Sequence, residues 1–428
     1  MSRLTLRHTA LASSLCCALA APAAAQERPD PSAIGNGPRA LGMAQAVTAV
    51  VDDITAIGWN PAGLTFLERP EYGFVSRVMV MATGVTATTN RVTPSGFPRF
   101  TGDGELAGTL DALEFAGIAV PFQLAGRTVA VGVAYRRFAE TPRVGAFKVN
   151  RLESNGRYFS TTRYFVEEGL RAISPTVAVA LSDRLRLGVT ANLLGGEEKY
   201  VVDGPIAFSG SEATRRVRRT LIDRDISGLA LDVGAMFQAT ERLRIGVHAT
   251  LPHDRQFTRV DSTGEIAATR QAPLQLNVGV ARKMGTKSVL SADVHLAPWA
   301  AMDLTSDADG SDIPTRTGVG DATGVHVGWE RDFTNYDRKS AIRLGAFVRR
   351  TSFVSFDDKQ VSAYGATIGQ SWYYDSWSFD GGVLLGRSTR WLRSQATDTD
   401  VSLQNTDLVV SLGLRWHIGK PRGSDGTN

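Results

Sequence analysis

The chain has 428 residues, 43% of them hydrophobic and 21% charged, with 43 glycines and a formal net charge of +4. A balance this close to neutral, with no clustered basic face along the chain, excludes a nucleic-acid-binding role. The length would serve two ordinary domains, but no Pro-, Ser- or charge-rich linker divides it, and one large barrel would use it equally well.

The first 25 residues carry Arg3 and Arg7, then an apolar run from Thr9 to Ala20 and an Ala-x-Ala site at Ala23 to Ala25. This is the pattern of a secretory signal peptide, so residues 1–25 are set apart from the fold. The apolar run is too short to span a bilayer as a helix. Both cysteines, Cys16 and Cys17, lie inside it. The mature chain is therefore expected to have no disulfide, thiolate or Cys-ligated metal, and a charge of about +2 once Arg3 and Arg7 are removed. No cofactor is expected.

Residues 34–64 do not alternate as a strand does. A Gly/Pro-rich start (Gly35, Gly37, Pro38) leads into an apolar middle and then two helix-start signals. Asp52 or Asp53 can cap a turn from Ile54 onward, and Asn60 before Pro61 places a capping side chain ahead of a proline at the first helical position. Turns this short are unstable alone, so something must enclose them.

From Glu71 onward, segments of about ten residues alternate apolar and polar positions. In 184–193, Leu185, Leu187, Val189, Ala191 and Leu193 share one face, and Arg184, Arg186, Thr190 and Asn192 the other; 242–251 is nearly a copy. In 407–418, Leu408, Val410, Leu412, Leu414, Trp416 and Ile418 oppose Ser411, Arg415 and His417. The opposing face carries Arg136, Asp232, Asp293, His326, Arg343 and Arg415 on strands far apart in sequence, as a wall around a wet lumen requires. Fourteen strands are expected near 71–86, 112–121, 127–138, 172–181, 184–199, 225–238, 242–257, 273–282, 288–297, 323–331, 340–351, 363–372, 377–386 and 407–418. Tight connections (122–126, 182–183, 240–241, 284–287, 374–376) alternate with long polar links (87–110, 140–168, 203–222, 258–270, 300–320, 355–360, 392–405), which is the outer-membrane arrangement. Trp299, Trp329, Trp372, Trp377, Trp391 and Trp416 fall near strand ends, where interfacial girdles form. The expected fold is thus all-β: a transmembrane antiparallel barrel of about 14 strands.

The stretch 35–67, and Trp59-Asn60-Pro61-Ala62-Gly63-Leu64 above all, resembles the N-terminal hatch of the FadL/TodX family of outer-membrane hydrocarbon and long-chain fatty-acid transporters. Ser411 to Ile418 resembles the assembly signal read by the barrel-assembly machinery. The resemblance implies a hatch over residues 26–70 inside the lumen of a barrel over 71–418, with 419–428 as a disordered tail. Its motif residues would be Gly35, Gly37, Leu41, Gly42, Asp53, Trp59, Asn60, Pro61, Ala62 and Gly63, and Met43, Val47, Val50, Ile57, Trp59 and Phe66 would be candidates for an apolar ligand pocket. It further implies a monomeric, non-enzymatic outer-membrane channel for diffusive uptake of hydrophobic compounds, with hatch movement and lateral exit beside a kinked strand. A non-transporting envelope scaffold and a polar-solute channel are the alternatives.

Other polar groups read more plainly. Asp52 and Asp53 are neighbours that face apart and act as caps rather than as a catalytic pair. His248, His253, His295, His326 and His417 lack metal-ligand spacing and read as solvated lumen residues, with Asp293 and His295 the only acid-histidine pair on one face. Arg215, Arg216, Arg218 and Arg219 fall in a long link, as a solvated loop edge or a contact to lipopolysaccharide phosphates or an anionic ligand headgroup.

Overall fold

The computed structural model describes residues 37–89, 101–105, 108–140, 143–153, 156–207, 214–261, 264–301, 320–335, 338–354, 360–394 and 399–419. The expected leader, Gly35 and the tail from residue 420 lie outside them.

Eighteen strands form one sheet. They are β1 (Glu71–Thr89), β2 (Thr101–Glu105), β3 (Gly108–Leu124), β4 (Arg127–Glu140), β5 (Arg143–Glu153), β6 (Gly156–Ala180), β7 (Leu185–Ala207), β8 (Thr214–Gln238), β9 (Leu243–Thr250), β10 (His253–Asp261), β11 (Gly264–Ala272), β12 (Gln275–Met284), β13 (Ser288–Ala297), β14 (Ala322–Asn335), β15 (Arg338–Val354), β16 (Gln360–Tyr373), β17 (Trp377–Ser394) and β18 (Thr399–His417). Fourteen of them close an antiparallel barrel. Pairing passes from β1 to β3, β4, β6, β7, β8, β9 and β12 through β18, and β18 returns to β1 over Glu71↔His417 to Thr89↔Thr399. The strands β2, β5, β10 and β11 extend the long-link side: β2 pairs β5, and β10 pairs β11 and the middle of β8.

Alternation decides which face goes where. On β7, Leu187, Val189 and Leu193 are 37%, 43% and 55% exposed, whereas Thr190 and Asn192 are fully buried. On β18 the exposed Leu408, Leu412 and Trp416 oppose the buried Ser411 and Arg415. The wall thus turns its aliphatic face outward to lipid and its polar face inward, the reverse of a soluble core.

Several expectations are corrected. The links 140–168, 203–222 and 258–270 are mostly strand, because β5 to β8, β10 and β11 continue pairing with one another beyond the expected boundaries. The hydrogen-bonded ladder persists there without the alternation that marks it in sequence. Arg215, Arg216, Arg218 and Arg219 accordingly lie on β8, paired with 202–206 of β7, and not in a loop; their side chains lie outside the described residues. The expected strand 242–257 breaks at Leu251 and Pro252, since proline offers no N–H to a ladder. Trp299 is buried in a short 3-10 turn (Trp299–Ala301) with Ala272, Ala297 and Ala322, and so belongs to no girdle. At the tight-turn rim an aromatic group does form: Trp377 pairs in register with Trp416, which pairs with Tyr72, and Tyr374 stacks on Trp377 at 3.9 Å. The side chain of Trp391 lies outside the described residues.

Candidate functional site

The residues before β1 form α1 (Pro38–Gly42), α2 (Ala56–Trp59) and a 3-10 turn over Pro61–Phe66. Pro38 and Pro61 occupy first-turn positions, where a missing N–H costs nothing. Asn60 caps the 3-10 turn as expected, its Oδ1 accepting from Ala62 N at 3.3 Å. Asp53 acts two residues from its own position, accepting from Thr55 N at 2.9 Å, while Thr55 occupies the N-cap of α2. After α1 the chain reverses through Ala44 and Gln45, both at positive φ (50° and 72°).

This segment lies in the lumen. Its close approaches to wall glycines run around the barrel: Pro61 against Gly188 and Gly234, Thr48 against Gly246, Met43 against Gly328, Ala44 against Gly345 and Pro38 against Gly382. A methyl group at Gly345 would stand 2.6 Å from the backbone nitrogen of Ala44. Only glycine lets backbone approach backbone this closely.

The inward polar side chains supply what so short a segment lacks, partners for its backbone. His326 Nδ1 is 2.7 Å from the Ala44 carbonyl, Thr367 donates to the Gly42 carbonyl at 2.9 Å, and Thr190 donates to that of Ile57 at 3.3 Å. Asp293 accepts from Thr48 N at 2.8 Å, and Glu71 from Ile54 N at 2.9 Å. Asn60 Nδ2 donates to Thr48 O at 2.8 Å and to Ala235 O of the wall at 3.1 Å. The lumen residues read as solvated are therefore mostly buried: His248, His253, His295 and His326 are at most 7% exposed. Asp293 and His295 do not act as a pair, because His295 Nδ1 meets Asn277 Oδ1 at 2.9 Å while Asp293 holds Thr48.

Two buried charge clusters join the segment to the wall. Arg39 binds Glu330 through both Nε and Nη2 at 2.9 Å and pairs with Asp52. Arg343 shares Glu330 at 2.5 Å, and Arg415 bridges Asp53 at 3.1 Å and Asp380 at 2.9 Å. Burial works against the Asp53 charge, but the Arg415 and Arg39 guanidiniums and two hydrogen bonds from Thr55 hold its carboxyl below the ordinary value of 3.8. On the opposite wall Arg136 binds Asp232 at 2.6 Å and Asn192 at 2.7 Å. Burying such charges is tolerable only because each is paired.

Of the residues expected to contact ligand, Met43, Val47 and Ile57 are fully or almost fully buried in the core shared with Val75, Phe115 and Met236. Trp59 and Phe66 pack against that core. Phe66 also lies between two guanidiniums, those of Arg186 and Arg244, each 4.2 Å from the ring centroid. Leu41 sits in a second apolar cluster with Phe347 and Leu384. The hatch-motif glycines are close-packed: a methyl on Gly42 would meet Gly369 Cα at 2.8 Å, and one on Gly63 would strike the Val51 carbonyl.

Two features lie around this segment whose positions were not read from the sequence. The first is a split in the wall. The β3–β4 ladder runs from Leu124↔Arg127 to Phe115↔Arg136 and, among the described residues, stops there. Beyond it β3 follows β1 and β4 follows β6, each with a register shift, at Glu114 and at Phe138. Glu114 turns inward to Arg77 at 3.0 Å and to Ser411, and Arg137 Nε donates to the Leu113 carbonyl at 3.0 Å across the split. The only cue in the sequence was Glu114 and Phe138 standing out of alternation. The second feature is a cavity of about 550 Å³ at the tight-turn mouth, lined in part by Val50, Arg242, Arg244, Lys283, Lys287 and Lys339.

A closed 14-stranded transmembrane barrel whose own N-terminal segment is folded into its lumen defines the class. Solved structures share this fold: a Pseudomonas aeruginosa FadL homologue (TM-score 0.64, 13% identity, covering 90% of this chain and 99% of that one), the P. putida toluene transporter TodX (0.54, 12%, 90% and 99%) and the Ralstonia pickettii toluene transporter TbuX (0.51, 16%, 90% and 99%). The fold is thus that of the FadL-type barrels. No protein-family model matches the chain, and no curated protein matches it in sequence.

Proposed function

We propose that the protein is an outer-membrane channel for diffusive passage of hydrophobic compounds, exported by its 1–25 leader, with residues 26–70 acting as a hatch. The observation that carries this reading is the split between β3 and β4 at the level of the enclosed segment. An apolar solute in the lumen would there find a break in the backbone ladder facing lipid, and would leave sideways rather than cross water. The transporters TodX and TbuX, which share the fold, are named for toluene, and this supports an apolar solute. The wall anchors of the hatch would have to yield in part for passage, and their number favours the second reading, a permanently sealed scaffold.

The test is titration of the folded barrel in detergent with a fluorescent long-chain fatty acid, followed by displacement with unlabelled fatty acids and toluene. Saturable, displaceable binding is expected. A folded barrel with no displaceable binding would overturn the channel reading in favour of the scaffold.

A further inference from the structure

At the tight-turn mouth, the cavity walls are unbalanced in charge. Arg39, Arg242, Arg244, Lys283, Lys287, Lys339 and Arg415 line it against three carboxylates, Asp52, Glu330 and Asp332. Arg39 engages two of those carboxylates, Arg415 is committed to Asp53 and Asp380, and Arg244 is held by Gln238 at 3.0 Å and by Phe66. Among the described residues, Arg242, Lys283, Lys287 and Lys339 have no side-chain partner. The ladder nevertheless sets two of them side by side: Lys283 N donates to the Arg242 carbonyl at 2.8 Å. Like charges on adjacent strands repel, a cost that a bound anion would remove. The apolar part of the lining comes from Ala49, Val50, Ala281, Val289 and Phe333. A volume of about 550 Å³ falls in the range of small-molecule sites, and here charged side chains outnumber apolar ones in the lining.

We propose that this mouth is a binding site for a small organic dianion, an aromatic or aliphatic dicarboxylate. Its two carboxylates would meet the free cations Arg242 just before β9, Lys283 on β12, Lys339 on β15 and Lys287 in the turn, and its hydrocarbon body would cover the apolar lining at Val50 and Phe333. A neutral hydrocarbon leaves the cations unpaired, and a bare inorganic anion leaves the apolar lining wet.

The test uses the full barrel in non-ionic detergent and follows terephthalate by isothermal titration, beside its neutral dimethyl ester, succinate and inorganic phosphate. Terephthalate is expected to bind, more weakly as salt rises, and the ester and phosphate much less well. The variant Lys283→Gln/Lys287→Gln/Lys339→Gln alters only exposed side chains and should weaken terephthalate binding about tenfold or more, the scale of one or two charge-assisted contacts. Arg127→Gln, at a tight turn away from the cavity, should leave it unchanged. Equal binding by the triple variant, equal binding of the ester, or displacement by phosphate at the same concentration as by terephthalate would each overturn the proposal. Binding of the lipophilic probe, measured on the same samples, is expected to be unaffected in the triple variant; loss of that binding with terephthalate binding intact would remove the channel reading alone.

Discussion

Arg415, two residues before the end of β18, reaches back to Asp53 in the middle of the enclosed segment, its Nη1 lying 3.1 Å from the Asp53 carboxylate. The pair therefore joins the last strand of the wall to the enclosed segment, and it does so beside Asp380 and Glu71 in a buried cluster. Because the Asp53 carboxyl is held below its ordinary value of 3.8, its contribution is present in full above that value and lost as pH falls through the lower, folded one. Asp53→Asn at neutral pH should loosen the segment by about 3–5 kcal/mol, the cost of leaving a buried partner uncompensated. Hydrogen exchange over residues 53–66 checks this. Protection should drop in the variant at pH 7, and the gap between variant and parent should close only below about pH 4. Unchanged protection at pH 7 would show that the pair does not hold the segment.

Gly345 and Gly381 lie on neighbouring regions of the wall and differ in what stands over them. At Gly345 an added methyl would sit 2.6 Å from Ala44 N and from Met43 C, whereas at Gly381 the nearest atom is Leu412 Cδ2 at 3.8 Å. The backbone above Gly345 cannot easily give way, since His326 and Thr367 hold it at Ala44 and Gly42. Gly345→Ala should therefore cost about 1–3 kcal/mol as overpacking and displace the segment, while Gly381→Ala should be near neutral. Planar-bilayer conductance separates the two. The first should raise ion leak through a barrel of unchanged strand content, and identical conductance in both variants would refute the close fit.

That close fit also marks the limit of what the sequence carries. Period-two alternation locates the wall because lipid imposes it, so Leu187, Leu193 and Leu412 were legible as outward positions. Where that alternation ends, β5, β11, the second half of β10 and the outer parts of β6 to β8 read as links although they are ladder. The Asn60-Pro61 turn was legible because capping is local. Gly188, Gly246 and Gly345 were not, since a glycine that admits a neighbouring backbone looks the same as any other until the neighbour is placed. Thr190, His326 and Asp293 were correctly inward, but their partners are backbone groups of the enclosed segment and not water, a pairing that no spacing rule encodes.

Phe66 closes the enclosed segment at the tight-turn end, with Arg186 and Arg244 on it at 4.2 Å each. Both cations come from the wall, so the ring acts as a clasp whose strength depends on its π face and not only on its bulk. Phe66→Leu keeps most of the bulk and removes the face, and should cost about 1–2 kcal/mol. Phe66→Ala should cost more, since it also opens space against the core on which the ring packs. Exchange of the Leu67 amide, which donates to the Leu64 carbonyl at 3.1 Å, reads the clasp directly. Equal protection in parent and Phe66→Leu would mean that only packing matters.

The split between β3 and β4 gives the sharpest test of lateral exit. Arg137 Nε donates to the Leu113 carbonyl at 3.0 Å just beyond the last ladder pair, Phe115↔Arg136, and so tethers the strands where the backbone no longer does. A hydrogen bond to a charged group contributes about 1.5–3 kcal/mol, enough to influence how far the edges part. Arg137→Ala should widen the split without touching Arg136, whose bonds to Asp232 and Asn192 anchor β4 from within. If apolar solutes leave here, stopped-flow entry of a lipophilic probe into proteoliposomes should quicken several-fold while ion conductance stays at the parent level. Gly345→Ala gives the opposite signature, since displacing the enclosed segment opens the axial path to ions. Should Arg137→Ala raise conductance and leave probe entry unchanged, the split is a feature of the wall alone and the solute passes along the barrel axis.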